Sequence, residues 1–264
     1  MKAPLFVLAL AVWSFGACAQ RLPSNLPKAN QAMGGLRSAV RSAVQGTEGG
    51  LTQEEIGKAL KEALGNGVDT GVSHLAKVGG IAQNSIYHIP LPPEVAQLKE
   101  KIQKNPALKL ALQPKLDILE AKMNEGAEQA MRSAAPIFRE AIVSMTLQDA
   151  LGILQGDDQA ATSYLQTSTQ TAVQNAFAPV IQNALDAVEI ARYWTPVVEA
   201  INANKVLLGV KEDIHPDLPA YVNGLATVAL YKEIGVQERK IRQNPLARTS
   251  ELLKKVFGSK LAQG

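Results

Sequence analysis

The sequence predicts an all-α fold, a single-domain bundle of roughly eight to ten helices with short connections. Three observations carry that expectation. Apolar residues recur at three- and four-residue spacing in segment after segment. Helix-start chemistry, either a Ser, Thr, Asp or Asn cap or a proline, precedes most of those segments. No segment shows sustained β-branched alternation bounded by turns.

Residues 1–19 stand apart from this pattern. Lys2 supplies one positive charge, an apolar run follows from Leu5 to Phe15, and small residues close the segment at Gly16, Ala17, Cys18 and Ala19. That is the layout of a secretory signal peptide, and the run is too short for a spanning helix. Ala17-Cys18-Ala19 fits the A-x-A rule, which places cleavage before Gln20 and the mature protein in the periplasm or outside the cell. The alternative is a lipoprotein anchored at Cys18, because Gly16-Ala17 directly precedes that cysteine; Phe15 suits it poorly, since leucine is usual there.

With cleavage before Gln20 the mature chain has no cysteine, which removes disulfides, thiolate nucleophiles and cysteine-ligated metals. About 245 residues remain, 26 basic and 24 acidic side chains once Lys2 is removed. That near balance gives no reason to expect nucleic acid as a partner. Apolar residues make up 46% of the chain, a globular composition, and aromatics only 5%.

Residues 20–50 read as a flexible tether, broken by Pro23, Pro27 and the pairs Gly34-Gly35 and Gly49-Gly50, with a short helix allowed near Leu36–Val44. The ordered domain, 51–258, begins with a capping box at Thr52 and Glu55. Ile56, Leu60, Ala63, Leu64, Val68, Val72 and Leu75 then trace a helical stripe that Gly79-Gly80 ends. Residues 81–93, with three prolines and no period, read as an extended connection. Pro106, Pro114 and Pro136 each suit a first helical turn and mark expected starts. Leu116, Leu119, Met123, Ala127, Ala130 and Met131 form one stripe, and Ile137, Phe138, Ala141, Ile142 and Met145 the next.

Thr146 and Asp149 resemble a second cap, and Gly156 ends that short helix. Asp157 or Asp158 is expected to cap a long helix reaching Ala178, with Pro179 opening another and Thr195-Pro196 a third. Residues 203–216 read as a loop. Asp217 caps a helix from Leu218 to about Gln243, Asn244-Pro245 starts the last one, and Gly258 ends it before a tail at 259–264. Lys101–Pro106 echoes Lys240–Pro245 in four of six residues. Repeated capping chemistry explains that more simply than duplication.

From Leu51 to Gly258 the chain resembles a family of bacterial exported proteins known only as a domain of unknown function, the one numbered 4197. The blocks that carry the resemblance are GLTQEEIGKALKEAL at 50–64, IPLP at 89–92, MNEGAEQAMRSAAPIF at 123–138, AIVSMTLQDALGILQGDDQAATSYLQTST at 141–169 and KIRQNPLARTSELLKKVFG at 240–258. The resemblance implies a helical fold and export, and no reaction, cofactor or catalytic residue. One departure is Asp157, where a second glycine is expected after Gly156, which bears on any role that needs close backbone approach at that turn.

Site chemistry is sparse. His74, His88 and His215 show no ligand spacing, so surface or capping roles are expected and no metal or other cofactor is assigned. The acids Glu125, Glu128, Asp149, Asp157 and Asp158 are the candidates for acid–base work, but helix-start roles account for most of them. Gly156–Thr171 is the most unusual polar stretch, with Asp157, Asp158, Thr162, Ser163, Tyr164, Thr167, Ser168 and Thr169 within four turns. Either it is a solvated face with Ala160, Ala161, Leu165 and Ala172 packed inward, the preferred reading, or it lines a groove for a polar ligand or partner helix.

The C-terminal region, with Arg239, Lys240, Arg242, Arg248, Lys254 and Lys255, is either an ordinary helix end or a peripheral contact with an anionic membrane surface or envelope polymer. Trp194 is expected in the core, with its indole N–H at the rim. The leading functional expectation is a non-enzymatic envelope protein that binds a protein or envelope component through residues such as Asp157, Asp158, Thr162, Tyr164, Thr169, Arg242 and Arg248. The alternatives are a small-molecule or lipid-binding bundle with a pocket between alanine-rich helices, and a carboxylate-dependent hydrolase.

Overall fold

The computed structural model describes residues 51–187, 189–214 and 216–259; the signal segment, the tether, Cys18 and His215 lie outside them. Among the described residues there are nine helices longer than a single turn and no strand, so the fold is all-α. In order they are α1 (Gln53–Ala76), the single turn α2 (Pro93–Ala96), α3 (Lys99–Lys104), α4 (Pro106–Ala130), α5 (Ala134–Ser144), α6 (Leu147–Leu154), α7 (Ala160–Ala187), α8 (Ala191–Ala203), the single turn α9 (Lys205–Leu208), α10 (Leu218–Gln243) and α11 (Glu251–Phe257). Short 3₁₀ turns at Met131–Ser133 and Pro245–Ala247 lead into α5 and follow α10.

Local chemistry sets most helix starts. Thr52 accepts from the Glu55 N–H at 3.1 Å while the Glu55 carboxylate accepts from the Thr52 N–H at 2.7 Å, and Thr146 and Asp149 repeat the box at the start of α6. Asn105 caps α4 with Pro106 in the first position, Asp217 caps α10, and Ser250 caps α11. Asn105 and Asn244 both accept backbone N–H groups just beyond themselves, so the echoed corners share capping chemistry.

α7 packs on α10, α4 and α5, and α1 on α10, α5, α6 and α11. Between them lies a core that fully buries Phe138, Phe177, Ile56, Leu60 and Met123. Phe138 meets Tyr231 edge-to-face, with ring centroids 5.7 Å apart.

Tertiary burial overrides the local reading at three prolines. Pro114, Pro179 and Pro196 sit inside α4, α7 and α8 instead of opening new helices. A mid-helix proline costs about 3 kcal/mol. Burying the residues that flank it on the inward face, Phe177 and Ile181 around Pro179, returns roughly 1.5–3 kcal/mol each, so the helix continues. Three further corrections follow. Residues 78–87 form successive turns and only 88–92 run extended. The expected loop at 203–216 contains α9, closed by Gly209 at φ +66°. The last helix starts at Glu251, behind the Ser250 cap, because Asn244-Pro245 opens only a 3₁₀ turn. Of the alanines expected inward on α7, Ala161 is buried and Ala172 is exposed.

Candidate functional site

Four of the residues singled out in the sequence meet at one corner, where the end of α10 crosses the α6–α7 turn. The carboxylate of Glu238 accepts the Ala161 N–H at 3.0 Å, the Thr162 N–H at 2.8 Å and the Thr162 hydroxyl at 2.7 Å. It therefore caps α7 from another helix, in the place where an anion also meets the positive end of the helix dipole. Asp157 instead accepts the Gln159 N–H at 2.8 Å, one residue before α7 begins, and Asp158 accepts from Gln243 at 2.7 Å. The expected cap by Asp157 or Asp158 is thus replaced by Glu238, which alone reaches the free N–H groups inside the first turn.

Arg242 completes the corner. Its Nε donates to Glu238 Oε1 at 3.0 Å, and its Nη2 donates to the Ile153 carbonyl at 2.7 Å, near the C-terminal end of α6. Both side chains of the ion pair are under 10% exposed. Arg248 turns back to donate to the Ile241 and Arg242 carbonyls at 3.1 and 2.8 Å. The expected basic surface is therefore partly interior: Arg242 joins α6, α7 and α10, and Arg248 satisfies the end of α10.

Tyr164 and Thr169 lie away from this corner. The Thr169 hydroxyl is buried between the Leu165 carbonyl and the Tyr231 hydroxyl, 2.8 Å from the latter. Tyr164 is half-buried, and burial first, then the charge of Asp149, pushes its phenol up. Thr167 and Ser168 are exposed and donate to the carbonyls of Ser163 and Tyr164 on their own helix.

Two more buried polar clusters were not legible as clusters in the sequence, which marked Glu128 only as an acid–base candidate and His74 and His88 only as surface or capping residues. Glu128 on α4 accepts the N–H groups of Gly79, Ile81 and Ala82 at 2.9–3.1 Å, and Asn124 clasps Ile89 through both its N–H and its carbonyl. Together they fasten the turn-rich segment to α4. His88 adds a third tie, with Nδ1 3.0 Å from the Ala82 carbonyl and Nε2 2.7 Å from Glu120.

On α10, Glu233 is buried with its carboxylate between His74 Nδ1 at 3.0 Å and the Tyr87 hydroxyl at 2.5 Å, beside Gln237. Burial, then the bond to Glu233, holds the Tyr87 phenol well above the ordinary tyrosine range. Glu233, Gln237 and Glu238 all fall on the inward face of α10 with Leu230 and Ile234. That placement at helical spacing was the available signal.

The space inside and outside differs sharply. An apolar cavity beside the Glu238–Arg242 pair, lined by Leu60, Leu64, Val68, Ile234 and Phe257, holds about 20 Å³, room for one water. An open cleft between α1 and α5 holds about 460 Å³. Its floor includes Val72 and Ala76, and its rim carries Lys77, Arg132 and Arg139 against the single carboxylate of Asp69. Among the described residues no three His, Cys, Asp or Glu side chains gather as a metal site, and no helix is long and apolar enough to cross a membrane.

These features define an all-helical domain whose buried carboxylates tie helix ends and turns together. A family model described as "Protein of unknown function (DUF4197)" matches residues 50–258, and the chain belongs to that family. No curated protein and no solved structure matches it.

Proposed function

We propose that this protein is a non-catalytic binding module of the bacterial cell envelope, exported through its N-terminal segment and cleaved before Gln20. The observation that carries the reading is the distribution of space. The largely apolar cavity between the helices has about 20 Å³, while the open cleft between α1 and α5 has about 460 Å³. That distribution favours recognition at the outer surface over an enclosed lipid pocket. The buried carboxylates support the same reading. Glu128 and Glu238 spend their oxygens on backbone N–H groups, which is work of support rather than proton transfer.

Native mass spectrometry of the protein from the periplasm of its own host tests this. The expected species is a bare chain starting at Gln20. A discrete added mass that survives purification and leaves on mild denaturation would overturn the reading in favour of an enclosed ligand. A lipid-modified chain starting at Cys18 would overturn the cleavage site.

A further inference from the structure

We infer that the cleft between α1 and α5 is a binding site for a phosphomonoester, held by Lys77, Arg132 and Arg139. The inference rests on the reading of the protein as a surface binding module and names what one of its surfaces takes.

The geometry is that of a partly prepared site. Arg132 Nη2 donates to the Ala76 carbonyl at the end of α1, at 3.1 Å, which fixes the guanidinium while leaving the rest of its donor fork unspent. Arg139 is held by Asp69 at 2.9 Å from the facing helix. The exposed Lys77 side chain makes no hydrogen bond or ion pair with another described residue and stands at the same rim. Capping the end of α1 explains one N–H of Arg132. It does not explain why Arg139, two turns further along, and Lys77 border the same hollow.

Charge selects the ligand class. Three cations against one carboxylate leave a surplus of two positive charges around the cleft. A phosphomonoester carries about −1.5 to −2 at neutral pH and offers three strong acceptor oxygens, whereas a carboxylate carries one charge and two oxygens. Guanidinium forks match phosphate oxygens in pairs. The volume of about 460 Å³ admits a small-molecule ligand rather than a bare ion. The same chemistry is offered by a soluble phosphate ester and by the headgroup of an acidic lipid.

The test uses the mature protein with two probes: glycerol phosphate in solution, followed by calorimetry and phosphorus NMR, and vesicles of phosphatidic acid in phosphatidylcholine, followed by co-sedimentation. Saturable one-site binding of either probe is expected, and which probe binds identifies the source. Lys77→Gln and Arg139→Gln should each weaken it about tenfold. Asp69→Asn should tighten it several-fold, because it removes the opposing charge; a purely structural role for these residues would not move affinity in opposite directions. Circular dichroism checks that each variant folds, and Lys77→Gln, which breaks no side-chain hydrogen bond or ion pair among the described residues, keeps the test open if another does not.

Absence of binding to both probes, or binding indifferent to Lys77→Gln and Asp69→Asn, would overturn the site and leave the binding-module reading standing. Conversion of glycerol phosphate to inorganic phosphate would uphold the site and overturn the non-catalytic reading.

Discussion

Glu238 grips Thr162 across 76 residues of chain, taking its N–H at 2.8 Å and its hydroxyl at 2.7 Å. The contact replaces the local cap that a helix start normally supplies, and Arg242 keeps the carboxylate paired in a site almost closed to solvent. Removing one partner strands the other as a buried charge, which typically costs about 3–5 kcal/mol. Glu238→Ala should therefore lower the melting temperature by roughly 10 °C. The double variant Glu238→Ala, Arg242→Met should recover part of that loss, and a double-mutant cycle by chemical denaturation measures the coupling. Additive losses would show that the two side chains act independently.

Asn124 is the corresponding tie for the connection after α1. Its side chain accepts the Ile89 N–H at 2.9 Å and donates to the Ile89 carbonyl at 2.8 Å. Asn124→Ala leaves both backbone groups buried without partners, at a cost of about 2–3 kcal/mol. Hydrogen exchange should show the Ile89 amide exchanging far faster while the amides of α7 keep their protection relative to global unfolding. Uniform loss of protection across the domain would contradict so local a role.

Gly80 is the tightest backbone position in the same connection. A Cβ there would lie 2.3 Å from the His74 carbonyl oxygen and 2.7 Å from that of Leu75, both main-chain atoms at the end of α1. Gly80→Ala should cost about 3 kcal/mol, since the neighbours cannot swing aside as a side chain would. Gly152→Ala is the control: nothing lies within 4 Å of a Cβ built there, and it sits inside α6. That variant should be neutral or stabilising by up to about 1 kcal/mol in thermal melts.

The two capping boxes give stability a defined acid limb. The Thr146 hydroxyl, then the Thr146 N–H, holds the Asp149 carboxyl below its ordinary value. A carboxyl lowered in the folded state stabilises the fold above its unfolded pKa, and that contribution disappears as pH falls through the lower folded value. Asp149→Asn should flatten this part of the stability–pH curve. The sign reverses for Tyr87, whose raised phenol contributes fully below the ordinary tyrosine range and is lost as pH climbs past it. Tyr87→Phe should blunt the alkaline loss, and urea titrations across the pH range read both effects.

How legible each feature was depends on how far apart its parts lie in the chain. Thr52 with Glu55, and Thr146 with Asp149, complete their bonds within three residues, so their boxes could be read directly. Pro179 misled because its cost is local while the burial of Phe177 and Ile181 that outweighs it depends on helices elsewhere in the chain. Thr162 and Arg242 stood out as polar oddities, but their shared partner did not. Glu238 looks like an ordinary surface acid until α10 is laid against α7. The cleft was less legible still, since Lys77 and Arg132 are brought together only by the packing of α1 on the turn before α5.

The Glu238–Arg242 corner also dictates when the fold can close. Synthesis runs from the N-terminus, so the whole of α7 leaves the ribosome long before the carboxylate that covers its first N–H groups exists. Until then the Ala161 and Thr162 N–H groups lack the carboxylate that takes them, and the Ile153 carbonyl lacks the Arg242 guanidinium. The lock between α6, α7 and α10 is therefore among the last parts of the domain to arrive, and the order of synthesis leaves α7 unclasped until α10 has been made.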